Sequence, residues 1–369
     1  MSNNNLTKAK KTKCDEFYTQ YVDIEKELQH YNIEDKIVYC NCDNPQYSNF
    51  YKYFKDNFNA HKIKHLYCTG YNKDGNGYYA EYNGTEEIIK PLNDNGDFRN
   101  EECISILKIA DVIITNPPFS LFREYVKLLM DYNKKFLVIG NQNAITYKEI
   151  FPLFKSNKMW WGTDCVRWFI VTEKMGKTTK ISYNGQTIAE GDRSRWFTNI
   201  DHIKQNNPLI LTKKYNPIDY PQYDNYNAIN VDKVKDIPMD YDGVMGVPIT
   251  FLDKYCPSQF EIVDINPHFY SIVEQGLPKP KQLKISGRKN PYARILIKKN
   301  NSSEPVDFEI VGMANGIMGQ ELGVSANLTD AQCKEYFNKN KAFRKGFVCY
   351  TNNGKIIVPY MRILIKRKQ

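Results

Sequence analysis

Asp111-Val112-Ile113-Ile114-Thr115-Asn116-Pro117-Pro118-Phe119 is the stretch on which the reading of this chain turns. Val112, Ile113 and Ile114 are β-branched and apolar, the composition of a strand covered on both faces. Asn116 then precedes two prolines. Pro117 drives Asn116 out of the α region, and each proline holds its own φ at about −65°. Neither proline has an N–H. The expected result is a stiff turn at the carboxyl end of a strand, displaying an Asn amide, backbone carbonyls and an aromatic ring. In an open α/β sheet that edge is where ligands bind. An Asn amide oxygen and a neighbouring carbonyl can both accept hydrogen bonds from one exocyclic amino group, while Phe119 stacks on the ring that carries it. Such acceptors favour positive charge growing on an amino nitrogen as it attacks an electrophile. The competing reading is a proline-stiffened loop without chemistry.

Upstream of this stretch, apolar spacing predicts a helix over 21–31 (Val22, Ile24, Leu28) and a strand over 36–40. Asn41-Cys42-Asp43-Asn44-Pro45 is the turn that follows. Phe50, Tyr51, Phe54 and Phe58 predict a helix over 48–58, and residues 64–68 a second strand. Asp74-Gly75-Asn76-Gly77 marks 73–83 as a turn, 93–98 is a polar loop, and a helix spans 101–108. Downstream come a helix over 122–132, a strand over 135–140 and a helix over 146–154. Two further strands are expected at 167–172 and 195–200, with turns at Gly176, Asn184, Gly185 and Gly191. Strands alternating with helices predict an α/β fold: a Rossmann-like, doubly wound parallel sheet, closed by an antiparallel hairpin and ending a first domain at residue 205.

Residues 206–245, with Pro208, Pro217, Pro221 and Pro238, read as an extended connector. The second domain, 206–369, is expected to be a mixed α+β region containing an internal repeat. Phe260-Glu261-Ile262-Val263 returns as Phe308-Glu309-Ile310-Val311, and Arg294-Ile295-Leu296-Ile297-Lys298 as Arg362-Ile363-Leu364-Ile365-Lys366. Lys298, Lys299, Lys366, Arg367 and Lys368 place cations at the ends of the repeated strands. They either grip phosphates or solvate strand ends.

The 51 Lys+Arg against 42 Asp+Glu leave a formal charge of +9, which suits a polyanionic partner or a merely basic soluble protein. A hydrophobic fraction of 41% with 25% charged residues is that of an ordinary globular chain, and no apolar run approaches the roughly 20 residues of a membrane helix. Residues 1–13 are polar and basic, with no apolar stretch of a signal peptide. The nine cysteines are odd in number and scattered, and the five histidines form no ligand pattern. Reduced thiols, a cytoplasmic location and no metal are expected.

Read together and in order, Asp15-Glu16-Phe17-Tyr18-Thr19-Gln20, Val38-Tyr39-Cys40-Asn41-Cys42-Asp43, Gly96-Asp97-Phe98-Arg99, and the segments 115–125 and 136–151 resemble the EcoRI-type family of adenine-N6 DNA methyltransferases. The resemblance covers most of residues 8–160 and thins toward the C-terminus. It implies S-adenosyl-L-methionine as cofactor and double-stranded DNA as substrate, with the target base flipped out of a short palindromic site. It implies that Phe17, Tyr18 and Thr19 lie against the cofactor's methionine end, that Asn41 and Asp43 hold its amino-acid moiety, and that Asp97 accepts from its adenine amino group with Phe98 against that ring. Asn116 and Pro117 would bind the target N6 and Phe119 would stack on the base, with Trp196 and Phe197 as the other wall. The resemblance further implies a monomer of a restriction-modification system, with a cognate endonuclease acting on the same site. Two features depart from the pattern. The Gly-rich loop usual after the first strand is replaced by Cys40-Asn41-Cys42-Asp43-Asn44-Pro45, and no acid ends the second strand, where Tyr71 and Asn72 stand. An rRNA adenine-N6 methyltransferase and a catalytically inactive sequence-specific DNA-binding protein are the alternatives.

Overall fold

The computed structural model describes residues 18–171, 180–183, 186–202, 206–223, 227–265, 294–299, 308–314, 350–352, 355–357 and 362–368. The expected basic arm, Phe17, and the turns at Gly176, Asn184 and Gly185 lie outside them. The chain divides into two compact units, Met1–Gln205 and Asn206–Gln369.

The first unit is built on one ten-stranded mixed sheet. Its parallel centre comprises β2 (Ile37–Asn41), β3 (His65–Gly70), β6 (Val112–Thr115) and β7 (Lys135–Asn141), in the order β3-β2-β6-β7. All residues of β6 are buried, as are Phe136, Leu137, Val138 and Ile139 of β7, because helices cover these strands. Helix α1 (Tyr21–Leu28) precedes β2, α2 (Asn49–Asp56) joins β2 to β3, α3 (Glu101–Ile109) precedes β6, and α4 (Phe122–Asp131) joins β6 to β7. Helix α2 buries Phe50, Tyr51, Tyr53 and Phe54, one aromatic face at helical spacing.

Antiparallel strands extend both edges. On one side, β4 (Tyr78–Tyr82) pairs with β3, and β5 (Glu87–Pro91) pairs with β4. The expectation of an unbroken turn over 73–83 is therefore corrected. Tyr78, Tyr79 and Tyr82 have strand-forming side chains, and the turn is confined to the Gly- and Asn-rich residues before them. On the other side, β10 (Gln186–Thr198) pairs with β7, β8 (Trp160–Ile170) and β9 (Lys180–Tyr183), while β1 (Tyr18–Thr19) pairs with the far end of β8. The helix expected over 146–154 is shorter: a 3-10 turn covers Gln142–Thr146 and α5 covers only Phe151–Lys155.

In the second unit, β11 (Ile229–Asn230), β12 (Met245–Pro248), β13 (Phe260–Ile265) and β18 (Arg362–Arg367) form a sheet in the order β11-β12-β18-β13. Strands β14 (Arg294–Lys299) and β15 (Phe308–Ala314) form a separate antiparallel pair, and β16 (Tyr350–Asn352) pairs with β17 (Lys355–Ile357). The sequence repeat takes a physical form here. Phe260, Glu261 and Ile262 face Arg367, Lys366 and Ile365; Phe308, Glu309 and Ile310 face Lys299, Lys298 and Ile297. Both pairs then carry a register shift. Each Phe-Glu-Ile-Val strand thus pairs with the later or earlier Arg-Ile-Leu-Ile-Lys strand in one register, and a lysine stands opposite a glutamate in both. Arg367 also pairs with Asp242 at 2.9 Å. Of the terminal cations, Arg367 is therefore matched by an acid within the unit.

Candidate active site

The site lies where the chain reverses its direction of travel across the sheet. From β2 the chain runs outward to β3; from β6 it runs the other way to β7. Strands β2 and β6 are neighbours, but they pair only at Val38 with Val112 and Tyr39 with Ile113. Strand β2 stays paired with β3 through Asn41, and β6 with β7 through Thr115. The two central strands therefore splay at their carboxyl ends, which opens the switch-point crevice of a doubly wound sheet. Two turns flank it: residues 42–48 after β2, and Asn116-Pro117-Pro118-Phe119 after β6.

Thr115 ties these turns together. Its hydroxyl lies in hydrogen-bond contact with the Asn41 carbonyl and with the Asp43 carboxyl, bridging strands whose ladder has ended. Asp43 is also held by Ser48, whose hydroxyl donates to it at 2.8 Å. Ser48 is the N-cap of α2 and accepts from the N–H groups of Phe50 and Tyr51 at 3.1 and 3.3 Å. Burial pushes the Asp43 carboxyl up to about 7, although its hydrogen bonds with Thr115 and Ser48 act against the rise.

Cys42, in the middle of the turn, has φ +77°. It occupies the left-handed region that a Gly-rich loop would supply, so the backbone shape is present without the glycine. Burial and nearby Asp43 raise the Cys42 thiol well above its ordinary value, leaving it neutral. The close approaches made by glycine occur elsewhere. A Cβ on Gly70, at the end of β3, would meet Asn44 Cα at 2.7 Å; one on Gly96 would meet the Gly70 carbonyl oxygen at 2.3 Å. The loop carrying Asp97 is thereby pressed onto the end of β3 and, through it, onto the turn after β2.

The candidate cofactor residues converge on this crevice. Tyr18 stands edge-on to Tyr47 in the turn after β2, with centroids 5.2 Å apart, and the Thr19 carbonyl accepts from Asn49 of α2 at 2.8 Å. Asp97 is gripped by Arg99, which donates from Nε at 2.8 Å and from Nη2 at 2.6 Å. Partial burial would raise Asp97, but the hydrogen bonds and charge of Arg99 hold it below the usual carboxylate range. Phe98 is buried against Tyr125 of α4, with centroids 5.0 Å apart. Three buried polar atoms here have no hydrogen-bond partner among the described residues: Thr19 Oγ1, Asn41 Nδ2 and Asn44 Nδ2. Buried polar groups are normally satisfied, so this cluster fits a polar ligand in the crevice. The donors and acceptors suit the amino-acid end of S-adenosylmethionine. Among the described residues no cluster of His, Cys, Asp or Glu could hold a metal ion.

On the side of the candidate catalytic turn, Asn116 follows the buried end of β6, Pro117 is buried, and Phe119 opens a 3-10 turn, Phe119–Leu121, that runs into α4. The Phe119 ring stands edge-on to Phe169 of β8 at 6.4 Å. Trp196 and Phe197 are not walls of this site. Both are 0% exposed. Trp196 packs on Phe50, and Phe197 on Phe122, Phe154 and Trp161. They sit in the middle of the pairing with β7, opposite Ile139 and Val138, so alternation buries them on the two faces of the sheet.

Thr115, Ser48, Gly70 and Gly96 shape the crevice, although sequence reasoning assigned none of them a role. Asn-Asp-Asn-Gly-Asp at 93–97 carried a signal for Gly96, since Gly between Asn and Asp marks a special backbone conformation. Gly96 has φ +73° as well as its close approach. Gly96→Ala is expected to cost about 2 kcal/mol in stability, since strain and overlap add. Denaturant unfolding together with hydrogen exchange over 93–98 measures this; a variant as stable as the parent contradicts the packing argument.

The family model described as "Adenine-specific methyltransferase EcoRI" matches residues 5–368. The Type II methyltransferase M.EcoRI of Escherichia coli is 48% identical over 325 residues, covering 80% of this chain and 97% of that protein. The Type II methyltransferase M.MpnI of Mycoplasma pneumoniae is 38% identical over 280 residues (73% of this chain, 88% of that protein). M.MgeORF184P of Mycoplasma genitalium, another Type II methyltransferase, is 35% identical over 319 residues (80% and 98%). No solved structure matches.

Proposed function

Because the chain belongs to the adenine-specific methyltransferase EcoRI family, we propose that it transfers a methyl group from S-adenosylmethionine to adenine N6 in a short palindromic site of duplex DNA. The observation that carries this reading is the join between the two turns. Thr115 hydrogen-bonds the turn after β2, where unpartnered polar atoms gather, and immediately precedes Asn116 of the catalytic turn.

The residues then act as follows. Thr19, Asn41 and the backbone of the turn at Cys42 and Asp43 would hold the amino-acid end of the cofactor, with Tyr18 beside them. Asp97, oriented by Arg99, would accept from the cofactor's adenine amino group. Bound there, the cofactor supplies a methyl group already activated by a sulfonium. Asn116 Oδ1 and the Pro117 carbonyl accept from the two hydrogens of the target amino group and direct its lone pair toward the crevice. As positive charge grows on that nitrogen, the two acceptors stabilise it. No strong base is required before attack, because the amino protons become acidic only as the new bond forms. The main contribution of the protein is to align two partners. A base inside a duplex cannot reach this turn, so it is flipped out, and Phe119, resting on Phe169, stacks on it. Residues 206–369 are assigned to reading the DNA sequence and backbone. The first unit is read as a Rossmann-like methyltransferase sheet with β8 and β10 as its closing hairpin. The enzyme is assigned to the cytoplasm as a monomer, with a restriction endonuclease cutting the same site as its counterpart.

Incubating the full chain with labelled S-adenosylmethionine and a panel of duplex palindromes, then sequencing for modified adenine, tests the proposal. Methylation at N6 of one adenine in one duplex sequence is expected. Transfer only to structured ribosomal RNA would move the substrate to RNA, and cofactor binding without transfer to either would mark an inactive binding protein.

A further inference from the structure

Hydrogen atoms can be counted around Asp43, and the count assigns its charge. Ser48 Oγ accepts two backbone N–H bonds, so its one proton is directed to Asp43 Oδ1. Thr115 Oγ1 faces both the Asn41 carbonyl and Asp43 Oδ2. The carbonyl can only accept, and Thr115 has a single proton. Were Asp43 ionised, one of these two contacts would set oxygen against oxygen with no hydrogen between them. With a proton on Oδ2, the chain closes: Asp43 donates to Thr115, and Thr115 donates to Asn41.

We propose that Asp43 is a neutral acid before the cofactor binds, and that it releases its proton to solvent when a sulfonium cation enters the crevice, so that it distinguishes the cationic methyl donor from the neutral thioether product. This rests on the cofactor reading given above. When the O–H bond of Asp43 breaks, Thr115 can swing its proton to Oδ2, and the Asn41 carbonyl becomes available to a cationic donor. Asp43 is then a specificity-determining residue that acts through its charge, beneath the turn.

The surroundings support the assignment. Burial already pushes this carboxyl up to about 7. The titratable groups that face it are Cys40 of β2, Cys42 in the turn, Cys68 of β3 and Tyr125 of α4. Burial raises all of them well above their ordinary values, so they are neutral at neutral pH. Asp97 lies within reach of Cys42, but its charge is matched by Arg99. A unit cation at about 7 Å in an effective dielectric of about 20 lowers a carboxyl by roughly 1–2 pH units. The sign follows from linkage. A site that must lose a proton to bind a ligand binds it more weakly as pH falls through the value of the free protein.

Isothermal titration of the full chain with S-adenosylmethionine and with S-adenosylhomocysteine, at pH ~6.5 in two buffers of different ionisation heat, counts the protons. Release of about 0.5–0.8 proton is expected with the sulfonium and less than about 0.2 with the thioether. Between pH ~8 and ~6 the Kd for the sulfonium is expected to rise roughly five- to tenfold while that for the thioether stays level. Asp43→Asn imitates the neutral acid, its amide donating to Thr115 and accepting from Ser48. It is expected to fold, to abolish the proton release, and to weaken only the sulfonium at high pH, by about tenfold or more. Equal proton release with both ligands, or release that survives Asp43→Asn, overturns the proposal. Absence of sulfonium binding by the parent protein at any pH instead overturns the cofactor reading on which it stands.

Discussion

Asn116→Ala is expected to lower the rate of methyl transfer by about 10²–10³-fold, the cost of removing one preorganised polar group aimed at a developing charge. In the proposed mechanism the amide oxygen is one of two acceptors for the target amino group; the other, the Pro117 carbonyl, belongs to the backbone and survives the substitution. The two prolines that follow Asn116 keep the turn rigid, so the change should remove an acceptor without rearranging its neighbours. The loss should therefore appear in the chemical step, with duplex affinity within about threefold of the parent, because the acceptor gains importance only as charge develops. Single-turnover methylation and equilibrium duplex binding separate the two quantities. Turnover close to that of the parent would remove Asn116 from the mechanism.

The largest effect on stability belongs to Glu27, far from the chemistry in sequence but supporting it in space. Glu27 is 0% exposed. Its carboxylate accepts from Tyr31 Oη at 2.6 Å, from the N–H groups of Thr163 and Asp164 at 2.7 Å each, and from Thr163 Oγ1 at 2.9 Å. A Cβ on Gly162 would lie 2.3 Å from this carboxylate, so β8 is glycine where α1 leans on it. Gln20, at the start of α1, donates to the Trp168 carbonyl of the same strand at 3.0 Å. Together they anchor α1 and the preceding β1, with Tyr18 and Thr19, to the antiparallel edge. Glu27→Ala leaves several buried donors without an acceptor, and about 3 kcal/mol is the expected cost, a fall of about 6–12 °C in Tm for a unit of this size. Glu27→Gln retains one acceptor but turns an amide N–H toward backbone N–H groups, so it should lie between the alanine variant and the parent. Thermal and denaturant unfolding measure both. A Glu27→Ala protein as stable as the parent would mean that water or a neighbouring group satisfies those donors.

Much of the first unit is legible in local sequence patterns. The β-branched run at Val112, Ile113 and Ile114 and the aromatic spacing of Phe50, Tyr51 and Phe54 depend on residues a few positions apart, and the strand and helix they predict are present. The antiparallel strands β4 and β5 are less legible, since Ile88 and Ile89 of the edge strand are half-exposed and set up no clean alternation. Trp196 and Phe197 show the opposite difficulty. Aromatic residues near a candidate site suit a base pocket and a core equally well, and only their neighbours, Phe50 on one face and Phe122 with Phe154 on the other, distinguish the two.

The order of residues by itself determined the rigid turn at Asn116, because proline sets φ and removes N–H groups whatever surrounds it. It also determined the alternation of apolar strands and amphipathic helices, which depends on near neighbours in the chain. Only the tertiary structure decided how the turn after β2 works without its glycines. Cys42 takes the left-handed conformation, Gly70 at the end of β3 and Gly96 in the loop before α3 make the close approaches, and Thr115 crosses the gap where β2 and β6 part. These are contacts between segments tens of residues apart, and hydrogen bonding and steric exclusion at that range depend on where the folded chain brings its backbone.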